Sequence, residues 1–186
     1  MLRSSLKLDQ RKMDPIKIIE KYYDKNSKAY KLLVDHGEAV AKKAAAIAKK
    51  AKADVEFVRE AAILHDIGMF LTDVPKFGCY GKEPYIKHGI LGKEILDKEG
   101  YPKHALVCER HIGAGITKEE IVRKGLPLPK RDMCPVTVEE EIVAYADKFF
   151  SKGKTEERSV EAIRKNLSRF WGDKVKKFDE WHLRFS

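Results

Sequence analysis

The stretch "AAILHDIGMF", residues 61–70, poses a problem of charge and burial. His65 and Asp66 stand side by side at the end of an apolar run, among Ile63, Leu64 and Ile67, and Gly68 follows at once. Taking a bare carboxylate out of water costs several kcal/mol or more, so the doublet needs a partner. Ala61 and His65 are four residues apart, as are Ala62 and Asp66. On a helix both ionisable groups therefore point toward the packed side. Gly68 reads as the C-cap that stops this helix.

Outward from the doublet, almost every segment reads as helix. Asp14 is an N-cap with Pro15 at N1. "DHGE" makes Asp35 an N-cap with Glu38 at N3, followed by an Ala-rich helix to Ala51. Asp54 caps the helix that carries the doublet. Further helices run from about Pro84 to Lys98, ending at Gly100, and from Pro102 to about Ile112. "TKEE" at 117 and "TVEE" at 137 are capping boxes, and "TEERSVEAIRKNLSRF" from Thr155 is amphipathic. The tail after it either extends that helix or packs separately. No alternating β-branched run and no internal repeat occurs, so the expected fold is one all-α helical bundle over 14–186. Residues 1–13 form an N-terminal extension. Two long connections, 70–85 and 125–136, have the length of lids or binding loops. They carry Lys76, Tyr80, Lys82, Lys130 and Arg131.

Composition narrows the function classes. The chain has 186 residues, 36% of them charged, a net charge of +9 and a pI of about 9.3. Such a chain buries a sizeable core and attracts anions without choosing among them. Cys79, Cys108 and Cys134 are odd in number and form no CxxC pair, so neither a disulfide framework nor a zinc ribbon is expected. Free thiols and the lack of a signal or spanning segment point to the cytoplasm, with no membrane partner. No aromatic-basic motif or zinc finger supports long nucleic acid as a partner.

The other ionisable residues in apolar surroundings complete the pattern. His36, His88 and His111 fall on different expected helices or at their ends. Asp147 lies in "EEEIVAYADKFF", on one face with Val143 and Phe150. Imidazoles and carboxylates together suit first-row transition metals, and a helical bundle can converge them in its core. His104, Cys108 and His111 also share a helical face and form a rival stripe, which would leave Asp66 and Asp147 unexplained.

The order His…His-Asp…His…His…Asp, with the run "HDIG", resembles the HD-domain superfamily of metal-dependent phosphohydrolases, over roughly residues 30–151. The resemblance implies His36, His65, Asp66 and Asp147 as metal ligands. His88 and His111 match the extra histidines of dinuclear members, in which the aspartate of the doublet bridges two metals. It assigns catalysis to Asp66, His88 and His111, with one or, more in keeping with the pattern, two divalent ions (Fe, Mn, Zn, Ni or Co). No GYP motif stands where it marks cyclic-di-GMP phosphodiesterases. The acidic residues of mononuclear deoxynucleotide phosphatases are not cleanly matched.

The implied reaction is attack of metal-activated water on phosphorus of a nucleotide or related small phosphate ester. Lys93, Arg110, Lys118, Lys130, Arg131 and Lys148 are the candidates to clamp the remaining phosphates. Two rivals share the scaffold: a di-iron oxygenase and a non-catalytic nucleotide-binding sensor. The oligomeric state is open.

Overall fold

Side-chain caps decide where most helices begin. Asp14 accepts from the amides of Ile16 and Lys17 and starts α1 (Pro15–Ile19). Ser27 caps α2 (Lys28–Ala51), and Asp54 caps α3 (Val55–Leu64). The computed structural model describes residues 13–154, 156–172 and 174–186; the expected extension, apart from Met13, lies outside these.

After α3 come a 3₁₀ turn (Ile67–Leu71) and a small antiparallel hairpin of β1 (Asp73–Val74) and β2 (Cys79–Tyr80). Another 3₁₀ turn (Tyr85–Lys87) leads into α4 (His88–Lys98), and α5 (Pro102–Arg110) follows. Next are α6 (Lys118–Lys124), α7 (Val138–Asp147), α8 (Val160–Phe170) and α9 (Lys174–Phe185). The fold is all-α, as expected; the hairpin sits inside the long connection 70–85.

Three local expectations are corrected. α2 starts at Lys28, so Asp35 and Glu38 are mid-helix and form no cap. The reason is an inward stripe of Ala29, Leu33, His36 and Val40 that continues upstream of Asp35 at helical spacing. At 137, Thr137 does cap α7, but Glu140 turns to the Val136 amide and to Arg110 instead of closing a box. At 117 the reciprocal box is complete. Gly68, finally, is inside the 3₁₀ turn and is not a left-handed C-cap.

Its real function is close approach. A Cβ on Gly68 would collide with the Gly92 amide nitrogen and the His88 carbonyl oxygen of α4. Gly37 does the same between α2 and α3, where a Cβ would lie 2.9 Å from the Ile63 carbonyl oxygen. These two glycines let the elements that carry His36, His65, Asp66 and His88 pack backbone to backbone.

The main core runs through α1–α5 and α7–α9, from Ile19 and Leu33 to Phe178 and Trp181. A smaller cluster of Ile116, Ile121, Leu128 and Met133 lies around α6. The tail packs as a separate helix. Phe178 and Phe185 of α9 lie against Tyr145, whose hydroxyl bonds His182 Nδ1 at 2.8 Å. All three cysteines are free. Among the described residues no helix is long and apolar enough to cross a membrane.

Candidate metal centre

Five helical segments deliver six side chains to one place. His36 comes from the middle of α2, His65 and Asp66 from the end of α3, His88 from the start of α4, His111 from the end of α5 and Asp147 from the end of α7. His36, His65, Asp66, His88 and His111 are buried. Four helix ends and one helix middle meet because α2, α3, α5 and α7 pack on one another there and α4 packs on α5.

The two oxygens of Asp66 face different partners. Oδ2 lies 3.1 Å from His65 Nε2 and 3.4 Å from His36 Nε2. Oδ1 lies 3.1 Å from His88 Nε2 and 3.6 Å from His111 Nε2. Asp147 Oδ1 closes the first group, 3.0 Å from His36 and 3.4 Å from His65. The second group has its imidazole nitrogens 3.1 Å apart.

Ring orientation is set by the backbone. Nδ1 of His65 bonds the Ala62 carbonyl at 2.6 Å, Nδ1 of His88 that of Tyr85 at 2.6 Å, and Nδ1 of His111 that of Cys108 at 2.8 Å. Each such bond puts the proton on Nδ1 and turns the Nε2 lone pair inward, as a metal ligand requires.

The donor set fits a transition-metal ion. Oδ1 of Asp66 and Nε2 of His65 are buried without a well-formed hydrogen bond, while Oδ2 of Asp66 has the Lys152 ammonium beside it. Such atoms need an explanation in a native interior, and an ion between them supplies one. Two overlapping trios, His36–His65–Asp147 and His65–Asp66–His111, each have ligand atoms within 4.8 Å of one another.

Charge in the metal-free cluster is settled by competition between burial and neighbours. Burial opposes a charge on His65, but Asp66 and Asp147 outweigh it and push its pKa up to about 10. Burial dominates at His111 and lowers it to about 4, and it also lowers His36. Burial opposes the charges of Asp66 and Asp147 as well; His65 and Lys152 near the first, and Lys148 and His36 near the second, hold both well below the usual carboxylate range.

His65 therefore gives the metal-free fold a pH dependence. Its pKa is higher folded than unfolded, so its contribution is complete below about pH 6.5 and disappears as the pH climbs toward 10. Metal binding needs the neutral ring and gains as the proton leaves. The melting temperature of chelator-treated protein is expected to fall between pH 7 and 10, while that of metal-replete protein falls less or rises. Equal slopes in the two forms would contradict this assignment of charge.

Of the six expected phosphate clamps, the structure brings Lys148 to the cluster. Its Nζ lies 2.7 Å from Asp147 Oδ2 and 3.2 Å from the His111 carbonyl. Lys93 instead reaches along α4 to Asp97, away from His88. Arg110 adjoins His111 in sequence, yet its guanidinium grips Glu140 at 2.9 and 3.0 Å. Arg131 pairs with Glu109, and Lys118 and Lys130 stay exposed around α6. In each paired case a nearby carboxylate takes the charge. The rival stripe is not assembled either. His104 bonds Glu60 at 3.3 Å and packs on Phe57, and Cys108 donates to the Leu64 carbonyl at 3.3 Å.

Sequence reasoning missed Lys152 and Tyr85. Lys152 Nζ lies 2.5 Å from Asp66 Oδ2, and its side chain is mostly buried. Burial works against its charge, but Asp66 raises its pKa. Tyr85 stacks on His88 at 4.5 Å between centroids, and burial pushes its hydroxyl up to about 12. Neither lies in a motif. Lys152 reaches the centre because the chain turns back after α7, which residue spacing does not reveal.

Comparison with known proteins places this geometry in context. The chain is 47% identical over 121 residues to an uncharacterized protein of Methanocaldococcus jannaschii, a match spanning 62% of this chain and 64% of that protein. It is 42% identical over 123 residues to a tRNA (cytidine(56)-2'-O)-methyltransferase of Thermoplasma volcanium, across 66% of this chain but 32% of the enzyme. The methyltransferase of the same name from Picrophilus torridus is 39% identical over 128 residues, across 68% of this chain and 34% of that enzyme. The chain thus spans less than two-thirds of each of these relatives.

Among solved structures, the HD domain of the L. monocytogenes phosphodiesterase PgpH superposes with a TM-score of 0.55 at 18% identity, covering 90% of this chain and 94% of that one. The same domain in complex with cyclic-di-AMP gives 0.54 at 19%, covering 90% and 92%. These likenesses show the fold. The family model of the HD domain matches residues 33–151, well over half the chain and the whole span from His36 to Asp147, and the chain belongs to the HD-domain family.

Proposed function

We propose that the chain is a metal-dependent phosphohydrolase or phosphodiesterase acting on a nucleotide or related phosphate ester. One observation carries this reading: the split of Asp66, with Oδ2 toward His36 and His65 and Oδ1 toward His88 and His111. A carboxylate shared between two imidazole groups is the arrangement that suits a pair of divalent ions. His36, His65 and Asp147 would hold one, His88 and His111 the other, and Asp66 both.

Bound ions would supply Lewis acidity: neutralisation of charge on phosphoryl oxygens and a lowered pKa for water. The chain's own residues do the rest. Backbone carbonyls hold three imidazoles in place, so little reorganisation accompanies reaction. Lys148 and Lys152 put two ammonium groups where a phosphoryl group gains negative charge. Tyr85, held protonated, remains a hydrogen-bond donor beside them. The nucleotide class draws support from the PgpH domain, which has been crystallised with cyclic-di-AMP.

The test is elemental analysis of protein purified without chelator, followed by a panel of nucleotide and phosphate esters. About two transition-metal ions per chain are expected, with phosphate release that chelation stops and Mn²⁺ or Fe²⁺ restores. Oxygen uptake without phosphate release would replace this reading with a di-iron oxygenase. Nucleotide binding without turnover would replace it with a sensor. A second reading has its own observation: a related segment makes up about a third of the two tRNA methyltransferases. In that case the phosphate ester belongs to an RNA, and RNA binding falls steeply with salt.

A further inference from the structure

A pocket of about 370 Å³ opens beside the metal centre, and His36 is part of its wall. The rest of the wall includes Lys28, Lys31 and Asp35 of α2, and Gly153 and Lys154 of the turn after α7. Lys28, Leu32 and His36 lie at i, i+4 and i+8, on one face of α2. The stripe leads from the centre to the end of α2, about 12 Å away at 1.5 Å per residue.

The charges on this stripe are uncompensated. Lys28, Lys31 and Lys154 are exposed and form no ion pair among the described residues, whereas the neighbouring Lys21, Lys25 and Lys43 pair with Glu99, Glu20 and Glu157. Among the described residues Asp35 is the one acidic group in the wall. Outside the pocket wall, at the centre that His36 shares, Lys148 and Lys152 pair with Asp147 and Asp66. Among the described residues no aromatic side chain lines the pocket, so they offer no stacking surface for a base. Three lysines spaced along a groove suit a row of linked phosphates; a lone phosphate would be satisfied at the centre itself.

We propose that this pocket holds the phosphate chain of the substrate, and that the substrate class is polyphosphorylated: a nucleoside polyphosphate or a similar linear chain of phosphates. This rests on the phosphohydrolase reading of the adjoining centre. Hydrolysis of the phosphate seated there forms a bond between water oxygen and phosphorus and breaks the bond from phosphorus to the bridging oxygen. The departing oxygen receives the proton that the water loses.

The experiment measures binding of inorganic tripolyphosphate and of orthophosphate to the metal-replete protein by calorimetry, with the divalent ion in excess of the probe. Wild type is compared with Lys28→Glu/Lys31→Glu, with Lys154→Glu, and with Lys50→Glu at the far end of α2. Circular dichroism checks that each variant is folded. The double variant is expected to weaken tripolyphosphate about tenfold or more, Lys154→Glu to weaken it in the same direction, and neither to change orthophosphate more than about twofold. Lys50→Glu is expected to match wild type. Equal affinity for the two probes in wild type overturns the proposal, as does an unchanged tripolyphosphate affinity in the double variant. The two readings fail separately. Binding through Lys28 and Lys31 without hydrolysis of any ester supports the pocket and refutes the phosphohydrolase. Ester hydrolysis indifferent to these lysines does the reverse.

Discussion

Asp66→Asn is expected to lower phosphate-ester turnover by about a thousandfold or more, and to leave the purified protein with little bound metal. The amide keeps the size of the carboxylate but removes its charge and one of its two acceptor oxygens. Both imidazole groups face this residue, at 3.1 to 3.6 Å. Losing it removes the shared ligand and leaves Lys152 without its partner. An ion that stabilises developing charge contributes several kcal/mol, and about 1.4 kcal/mol is a factor of ten in rate. His104→Asn is the control. His104 belongs to the rival stripe and is committed to Glu60 and Phe57. It should retain metal and turnover. Turnover that survives Asp66→Asn within about tenfold would sink the assignment of the centre.

Gly68→Ala tests the frame that holds it. The new methyl would meet the His88 carbonyl and the Gly92 amide, both backbone atoms of α4, so no side chain can rotate away. Overpacking of this kind costs about 3 kcal/mol or more when backbone must move. For a chain of this size that corresponds to a melting temperature lower by about 10 °C. The displaced helix carries His88, so metal content should fall with it. Gly172→Ala is the contrast. Its nearest neighbour is the Ser168 carbonyl at 3.8 Å, and the change should stay within about 0.5 kcal/mol of neutral. A Gly68→Ala protein that melts with wild type would show that α4 does not press on the 3₁₀ turn.

Much of this was legible before any coordinates. Asp14, Asp54, Thr117 and Thr137 cap helices where their spacing says they should, because an N-cap is a contact across two or three residues. The four histidines and two aspartates were legible for another reason. A charge or imidazole on an apolar helical stripe has to be solved by something, and six such groups in one chain point to one solution. The outcome differed where a local signal competed with packing. "DHGE" looks like a helix start, but the stripe of Leu33, His36 and Val40 runs straight through it. Gly68 looks like a stop, and the approach of α4 is what excludes a side chain there.

Residue types and their periods, then, determined by themselves that this chain is all-α and which six side chains need a common partner, while the order of those six around the run HDIG carried the resemblance to the HD-domain superfamily. Only the tertiary structure decided which oxygen of Asp66 faces which imidazoles. It also committed Arg110 to Glu140 while carrying Lys152 back to Asp66, and lined the adjoining pocket with Lys28, Lys31 and Lys154. Periodicity reports the face of a helix on which a residue lies. A long cationic side chain on an exposed face has many reachable partners, and only the packing of distant segments selects among them.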